Sequence, residues 1–226
     1  MNKCVISLLV SLMMFPAIAG AQSLSGILGA TDPALAAAAR LALQNKSFVP
    51  QVSAPVKSVK DAAGPADYLP LQRGGVYTYE YYSSAFKGTR TMRLEFGAFS
   101  YRDNSVTVTR TIFDRNTRQE SVFKLYYTQS GIQATSSPLA GPRLEMPSAV
   151  TYNLAWDEGA NHSRVAAVKA SIKTASGNFN GVRILTSLDG GGTINRYYAP
   201  GIGLVAEQLL TSGKYETINL VSYQLN

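Results

Sequence analysis

The strongest constraint on the fold is a two-residue period of apolar side chains that starts near Tyr68 and continues almost to the C-terminus. Such alternation is typical of strands that bury one face and expose the other. Two of the predicted strands place on a single face Tyr77, Tyr79, Tyr81, Met92, Leu94 and Phe96. Turn-forming sequences such as Asp103-Asn104 and Ser176-Gly177 separate the apolar runs at intervals of roughly 8 to 12 residues, which predicts an antiparallel meander.

The number of runs predicts a mainly β domain over residues 68–226, with about ten strands. A twisted sheet of that size tends to curl or close, so the expected architecture is a curled antiparallel sheet, either a half-barrel or a barrel. The final strand, 215–225, changes its inward phase between Leu220 and Val221, which predicts a β-bulge. Two segments are predicted to be connections: Pro138–Pro147, with proline at both ends, and the polar stretch Trp156–His162.

The N-terminus predicts export. Lys3 precedes an apolar run over 5–15, and Ala19 and Ala21 form the small-residue site that a signal peptidase recognises. We therefore expect residues 1–21 to be a cleavable signal peptide and the mature protein to act in the periplasm or outside the cell. The apolar run is shorter than the about 20 residues of a membrane-spanning helix, so we expect no transmembrane segment in the mature chain.

Residues 22–67 are predicted to form an extension ahead of the β domain. Asp32-Pro33 is a helix-start signal, and the Ala- and Leu-rich sequence after it predicts a short helix over about 33–45. Residues 46–67 contain three prolines and predict an extended linker. Cys4, the only cysteine, precedes the apolar run, so the sequence predicts neither a lipid anchor nor a disulfide in the mature chain.

The side chains give little sign of catalysis, metal binding or a cofactor. Asp157, Glu158 and His162 are the only grouping of carboxylates with a histidine, but adjacent carboxylates in a strand point apart and the chain has no second histidine. A hairpin loop is therefore the favoured interpretation. No G-x-S-x-G sequence is present, and the acidic residues are dispersed. The formal net charge of +7 is spread along the chain, which does not favour a nucleic-acid partner.

Three stretches carry a resemblance. Residues 68–79 (YLPLQRGGVYTY), 177–184 (GNFNGVRI) and 196–205 (RYYAPGIGLV) are similar to segments of a family of bacterial secreted proteins and lipoproteins of unassigned function. Some members of that family resemble in fold the half-barrels of the lipoprotein carriers LolA and LolB. The resemblance implies a curled antiparallel sheet but no catalytic residues. This chain lacks the cysteine motif of the lipoprotein members, so membrane attachment is not implied.

Three functions remain open at the level of sequence. The favoured hypothesis is a non-enzymatic exported protein that binds an apolar small molecule or lipid on its concave face, where the ligand-facing candidates are Tyr77, Tyr79, Met92, Leu94 and Phe96. In that hypothesis the face is covered either by the ligand or by residues 33–45. The second is a structural or interaction module that binds an envelope protein or a surface polymer. The third is an enzyme that uses dispersed carboxylates.

Overall fold

A computed structural model describes residues 64–226 of the chain. The predicted signal peptide, the helix over 33–45 and all but the end of the linker lie outside the described residues. The described part opens with one helical turn, α1 (Pro65–Tyr68), and a 3₁₀ turn, Leu71–Arg73. Pro65 starts α1, and the Gly64 N–H donates to the Asp67 carboxylate at 3.2 Å. Among these residues, no helix is long and apolar enough to cross a membrane.

Twelve strands follow within residues 64–226. They are β1 (Gly75–Ser83), β2 (Thr89–Phe96), β3 (Ser105–Asp114), β4 (Thr117–Thr128), β5 (Gly131–Ala134), β6 (Arg143–Pro147), β7 (Ala155–Glu158), β8 (Asn161–Thr174), β9 (Gly177–Ser187), β10 (Thr193–Ala199), β11 (Gly203–Leu210) and β12 (Tyr215–Gln224). All pair in one antiparallel sheet of order β6-β5-β4-β3-β2-β1-β12-β11-β10-β9-β8-β7. Apart from the β1–β12 pair, every neighbouring pair is consecutive in sequence. The sheet curls into a nearly closed barrel, so the predicted fold class is confirmed.

The phase change predicted in the last strand is also confirmed. Thr78 pairs with Ser222 and Tyr79 pairs with Leu220, so the register of β1 against β12 skips Val221. This bulge lies where the first and last strands of the barrel meet. It lets apolar residues on both sides of Val221 continue to face inward while the sheet bends.

The inner face of the sheet, which bears Tyr77 and Tyr79, forms the core. All twelve strands except the short β7 contribute buried side chains to it, and the α1 and 3₁₀ turns add Tyr68, Leu69 and Leu71 from the chain's entry into the domain. Leu71 is 1% exposed. Residues 65–71 therefore cover one part of the barrel interior. The first three of them, 65–67, are the end of the predicted linker.

Two sequence-level interpretations need correction. The segment Pro138–Pro147 is not a loop throughout, because its second half is strand β6, every residue of which is buried. The stretch Trp156–His162 is a β-hairpin, in which Trp156–Glu158 belong to β7 and Asn161 and His162 open β8. Strands β6 and β7 are short and contain several charged residues. Neither therefore shows the apolar alternation by which strands are recognised.

The long β8–β9 hairpin bends over the sheet. The register of β8 shifts between Val165 and Ala167 and again before Ala170, and the tip donates a hydrogen bond from the Ser176 N–H to the Leu220 carbonyl at 3.3 Å. At Gly181 the backbone approaches β10 so closely that a Cβ would lie 1.9 Å from the Tyr198 carbonyl oxygen. A glycine is required at this bend for that steric reason.

Candidate functional site

The five residues predicted to face a ligand all lie on the inner face, in the middle of the barrel. Met92 is 0% exposed, and Tyr77, Tyr79 and Leu94 are also buried, while Phe96 is half-buried and packs on Tyr77 with ring centroids 5.2 Å apart. Four of them, all except Met92, line a cavity with a volume of about 20 Å³, which is lined also by Leu69, Phe123 and Leu125. That space is close to one water molecule, whereas ligand sites typically have about 300 to 1,000 Å³.

Hydrogen bonds fix the tyrosines that fill this interior. The Tyr77 hydroxyl donates to the Ile202 carbonyl at 2.8 Å, and the Tyr79 hydroxyl donates to the Leu204 carbonyl at 2.8 Å. Burial raises the pKa of Tyr77 to about 12 and raises the pKa of Tyr79 well above its usual value, so both stay neutral. Each ring is thus tied across the barrel from β1 to the β10–β11 hairpin, in a conformation that leaves only the small cavity beside the rings.

A cluster of four charged side chains lies farther along the same interior. This seam cluster consists of Arg143 and Glu145 on β6, Arg196 on β10 and Glu207 on β11. Arg143 donates to Glu145 at 2.5 Å and to Glu207 at 2.6 Å. The Tyr198 hydroxyl donates to Glu145 at 2.7 Å. Two cations therefore face two carboxylates, and the cluster is neutral when all four are charged.

The seam cluster lies where the two free edges of the sheet, β6 and β7, approach each other. Arg196 donates to the Leu144 carbonyl at 2.9 Å, and the Leu144 N–H donates to Glu158 on β7 at 2.8 Å. Glu158 also accepts a hydrogen bond from the Trp156 indole at 2.7 Å. Side chains thus satisfy backbone groups of β6 that a neighbouring strand would otherwise pair, and they close the barrel without a continuous ladder.

The two carboxylates of the cluster have different environments. Burial raises the pKa of Glu145, but the guanidinium groups of Arg143 and Arg196 and the Tyr198 hydroxyl outweigh it and lower that pKa to about 2. Burial raises the pKa of Glu207, which Arg143 only partly offsets. One Glu207 oxygen and the Nε of Arg196 are buried with no partner among the described side chains and backbone. Because Arg196 and Glu207 are both 0% exposed, a substrate has no access to them.

The grouping of Asp157, Glu158 and His162 is split by the β7–β8 hairpin. Asp157 pairs across the strands with His162, whose Nδ1 lies 2.7 Å from the carboxylate, and both side chains are exposed. Glu158 points the other way, toward Leu144 and Trp156. The adjacent carboxylates therefore point apart as predicted. Within residues 64–226, no three His, Cys, Asp or Glu side chains are grouped so that they could hold a metal ion.

A larger concave feature lies on the outside of the barrel. This outer groove has a volume of about 470 Å³, and its lining includes Glu80, Lys87, Thr91, Phe113, Arg115 and Val221. Glu80, Thr91 and Phe113 lie side by side on β1, β2 and β3, on the face opposite the core. Val221 is the bulged residue of β12 and is 41% exposed. The bulge and the hairpin ends thus give the outer surface its concavity.

Sequence reasoning missed both the seam cluster and the outer groove. A signal for the first exists in strand parity, because Arg196 and Tyr198 share one face of β10 with Ile194, and Glu207 follows Leu204, Val205 and Ala206. A charge at an inward position of a buried strand needs an opposite charge nearby. The outer groove has no such signal, since it depends on how the sheet bends.

Comparison with known proteins yields little. No family model matches the sequence, and no curated protein matches it. Two solved structures are similar in part: a candidate lipoprotein from Parabacteroides distasonis and a candidate exported protein with a YmcC-like fold from Bacteroides fragilis. They are 14% and 15% identical to this chain, each with a TM-score of 0.46, and they span 73% and 72% of this chain and all of their own length. Likeness at this level carries no argument about function, which has to be inferred from the chain's own residues.

Proposed function

We propose that this chain is an exported, non-enzymatic interaction protein of the bacterial cell envelope, and that it binds its partner on the outside of the barrel. The observation that carries this proposal is the contrast between the two concave spaces: about 20 Å³ inside, against about 470 Å³ on the outer surface. A recognition surface needs room for the partner, and of these two spaces within residues 64–226 the outer groove is the one that offers it.

Export is supported by the sequence of residues 1–21, with its cation, short apolar run and the Ala19 and Ala21 site. The absence of cysteine after Cys4 fits a domain that is stabilised by burial alone, and the barrel core is extensive enough for this role.

A non-enzymatic role is supported by the environment of the charged residues. The buried carboxylates with shifted pKa values, Glu145 and Glu207, lie against arginines that neutralise them. A catalytic acid or base must reach the substrate, and these two are enclosed by β6, β10 and β11. The same packing disfavours a lipid inside the barrel, since a single acyl chain is many times larger than the cavity.

Binding to envelopes tests the proposal. The exported protein is purified from its host, its intact mass is measured, and its sedimentation with isolated host envelopes is compared with that of two variants. Thr91→Trp fills the outer groove, and Thr107→Trp places the same side chain at an exposed position on β3 outside it.

We expect the intact mass to be that of a chain that starts at Gln22, and we expect no lipid to co-purify with it. Thr91→Trp should abolish envelope binding, and Thr107→Trp should preserve it. A stoichiometric lipid in the native mass spectrum would contradict binding on the outside. Equal loss of binding in the two variants would show that the outer groove is not the binding surface.

A further inference from the structure

The outer groove combines three kinds of side chain that together select a class of ligand. Lys87 and Arg115 supply positive charge, and neither forms an ion pair with a described residue. Arg90, by contrast, is neutralised by Asp114 at 2.8 Å and is held over the Phe86 ring. Two cations of the groove are therefore available to an anionic group.

Neutral hydrogen-bonding groups also line the outer groove. The hydroxyls of Thr78, Thr89 and Thr91 are presented by the outer faces of β1 and β2, and each can donate and accept a hydrogen bond. Glu80, the exposed neighbour of Thr91 across the strands, can only accept one when ionised. This mixture suits a ligand rich in hydroxyl groups.

An aromatic surface completes the groove. The Phe113 ring is 39% exposed and lies next to Thr91 on the neighbouring strand. The C–H faces of sugar rings pack on such a surface while their hydroxyls bond to the groups around it.

We infer that the outer groove binds an acidic polysaccharide, that is, a chain of sugars that carries both hydroxyl groups and carboxylates. Sugar rings pack on Phe113, hydroxyls bond to the threonines and Glu80, and the acid groups pair with Lys87 and Arg115. Glu80 distinguishes this ligand from a polyanion without hydroxyl groups, such as polyglutamate, because its carboxylate repels other negative groups but accepts hydrogen bonds from hydroxyls. The inference deepens the proposed function and rests on it.

Calorimetric titration of the full exported chain tests the inference with three probes: a short polyuronate, a neutral dextran of equal chain length, and polyglutamate. We expect the polyuronate to bind most tightly. Lys87→Ser and Arg115→Ser should each weaken its binding by about threefold to fivefold, since each removes one exposed ion pair. Phe113→Ser should weaken binding of the polyuronate and of dextran alike.

Matched variants outside the groove serve as controls. Lys173→Ser and Arg102→Ser make the same charge changes at exposed positions, and Tyr101→Ser removes an exposed aromatic ring at the opposite end of β2 and β3. These controls should keep the affinity of the unaltered protein within about twofold.

Three results would overturn the inference. If polyglutamate binds as tightly as the polyuronate, charge alone is recognised. If dextran binds as tightly as the polyuronate, the acid groups do not contribute to recognition. Equal losses in the control variants would show attraction by the overall positive charge. If groove-dependent envelope binding persists while the polyuronate fails to bind, the ligand class is wrong but the proposed function stands.

Discussion

At the scale of single residues, the seam cluster is the feature whose energetics are most distinctive. Arg143 is the only cation within hydrogen-bonding distance of both Glu145 and Glu207 among the described residues. A buried ion pair contributes little net stability compared with apolar packing, but removing one partner leaves an uncompensated charge in the core. The arrangement is therefore sensitive to loss of any single member.

Arg143→Met should destabilise the domain strongly, because it leaves two buried carboxylates with less positive charge. We expect the free energy of unfolding in urea to fall by about 3 to 5 kcal/mol. The matched variant Arg102→Met changes the same residue type at an exposed turn and should cost less than about 0.5 kcal/mol. Equal, small effects of both would mean that Arg143 is not essential for the seam cluster.

Tyr198→Phe tests the ionised state of Glu145. The hydroxyl donates to a carboxylate, and such a bond is worth about 1.5 to 3 kcal/mol at neutral pH. The pKa of Glu145 is lowered from 4.5 to about 2. The contribution of the ionised Glu145 carboxylate to the free energy of unfolding is therefore fully present above pH 4.5 and is lost as the pH falls toward 2.

The difference in unfolding free energy between Tyr198→Phe and the unaltered protein should therefore shrink over that pH interval. Urea titrations from pH 7 down to pH 2 measure it, and the comparison cancels the titration of other groups. A difference that is constant with pH would mean that Glu145 is not ionised against Tyr198. The raised pKa of Glu207 has the opposite effect on the free energy of unfolding. The stability linked to Glu207 is fully present below pH 4.5 and is lost as the pH rises through the folded-state pKa of this carboxyl.

At the scale of elements, the closing of the barrel depends on β6 and β7. The sheet is linked between these edges by side chains, of which Glu158 is the one that joins β7 to the β6 backbone. An edge strand with unpaired groups is a template for pairing with another chain. Glu158 and Arg196 thus protect β6 as well as holding it.

Glu158→Ala and Asp157→Ala are a matched pair on adjacent positions. Glu158→Ala removes the acceptor of a buried N–H and of the Trp156 indole, so we expect a loss of about 1 to 3 kcal/mol in the free energy of unfolding. Asp157→Ala removes only an exposed pair with His162 and should cost within about 1 kcal/mol, as should His162→Ala. Chemical denaturation measures both. A larger effect of Asp157→Ala would contradict the division of roles between the two carboxylates.

The elements also show what sequence could and could not predict. The long strands β1 to β4 and the bulge at Val221 follow from apolar alternation, because each has one face in the core and one in solvent. Strand β6 escaped the same reasoning. It is buried on both faces but carries Arg143 and Glu145, whose partners Arg196 and Glu207 are distant in sequence, so its pattern is intelligible only after the barrel closes.

The candidate site shows the same limit. Alternation correctly placed Tyr77, Tyr79, Met92 and Leu94 on the concave face, but it does not reveal how full that face is. Filling depends on Tyr68, Leu69 and Leu71, which directly follow the predicted linker, and on the curvature that brings β2 and β4 opposite β11. Those are long-range properties of packing, for which local sequence contains no signal.

At the scale of the whole molecule, the chain is proposed to consist of a signal peptide, an extension over residues 22–67 and the β domain. Limited proteolysis of the exported protein should cut first within residues 47–63, where prolines and few aromatic residues offer little surface to bury. The resistant fragment should begin close to Pro65, because α1 and the 3₁₀ turn pack into the core. First cuts within residues 105–128 would contradict the assignment of β3 and β4 to a stable sheet.

The barrel as a whole is a filled scaffold that presents a groove on its outer surface. Nuclear magnetic resonance of the isotope-labelled, exported protein, titrated with a carbohydrate extract and with a lipid extract of host envelopes, tests this most directly. Backbone amides of Thr91, Phe113 and Arg115 report on the groove, and the methyl groups of Met92 and Leu94 report on the interior. We predict chemical-shift changes confined to the groove amides, produced by the carbohydrate extract. Shifts at the methyl groups of Met92 and Leu94 on addition of lipid, with the groove amides unmoved, would contradict the account.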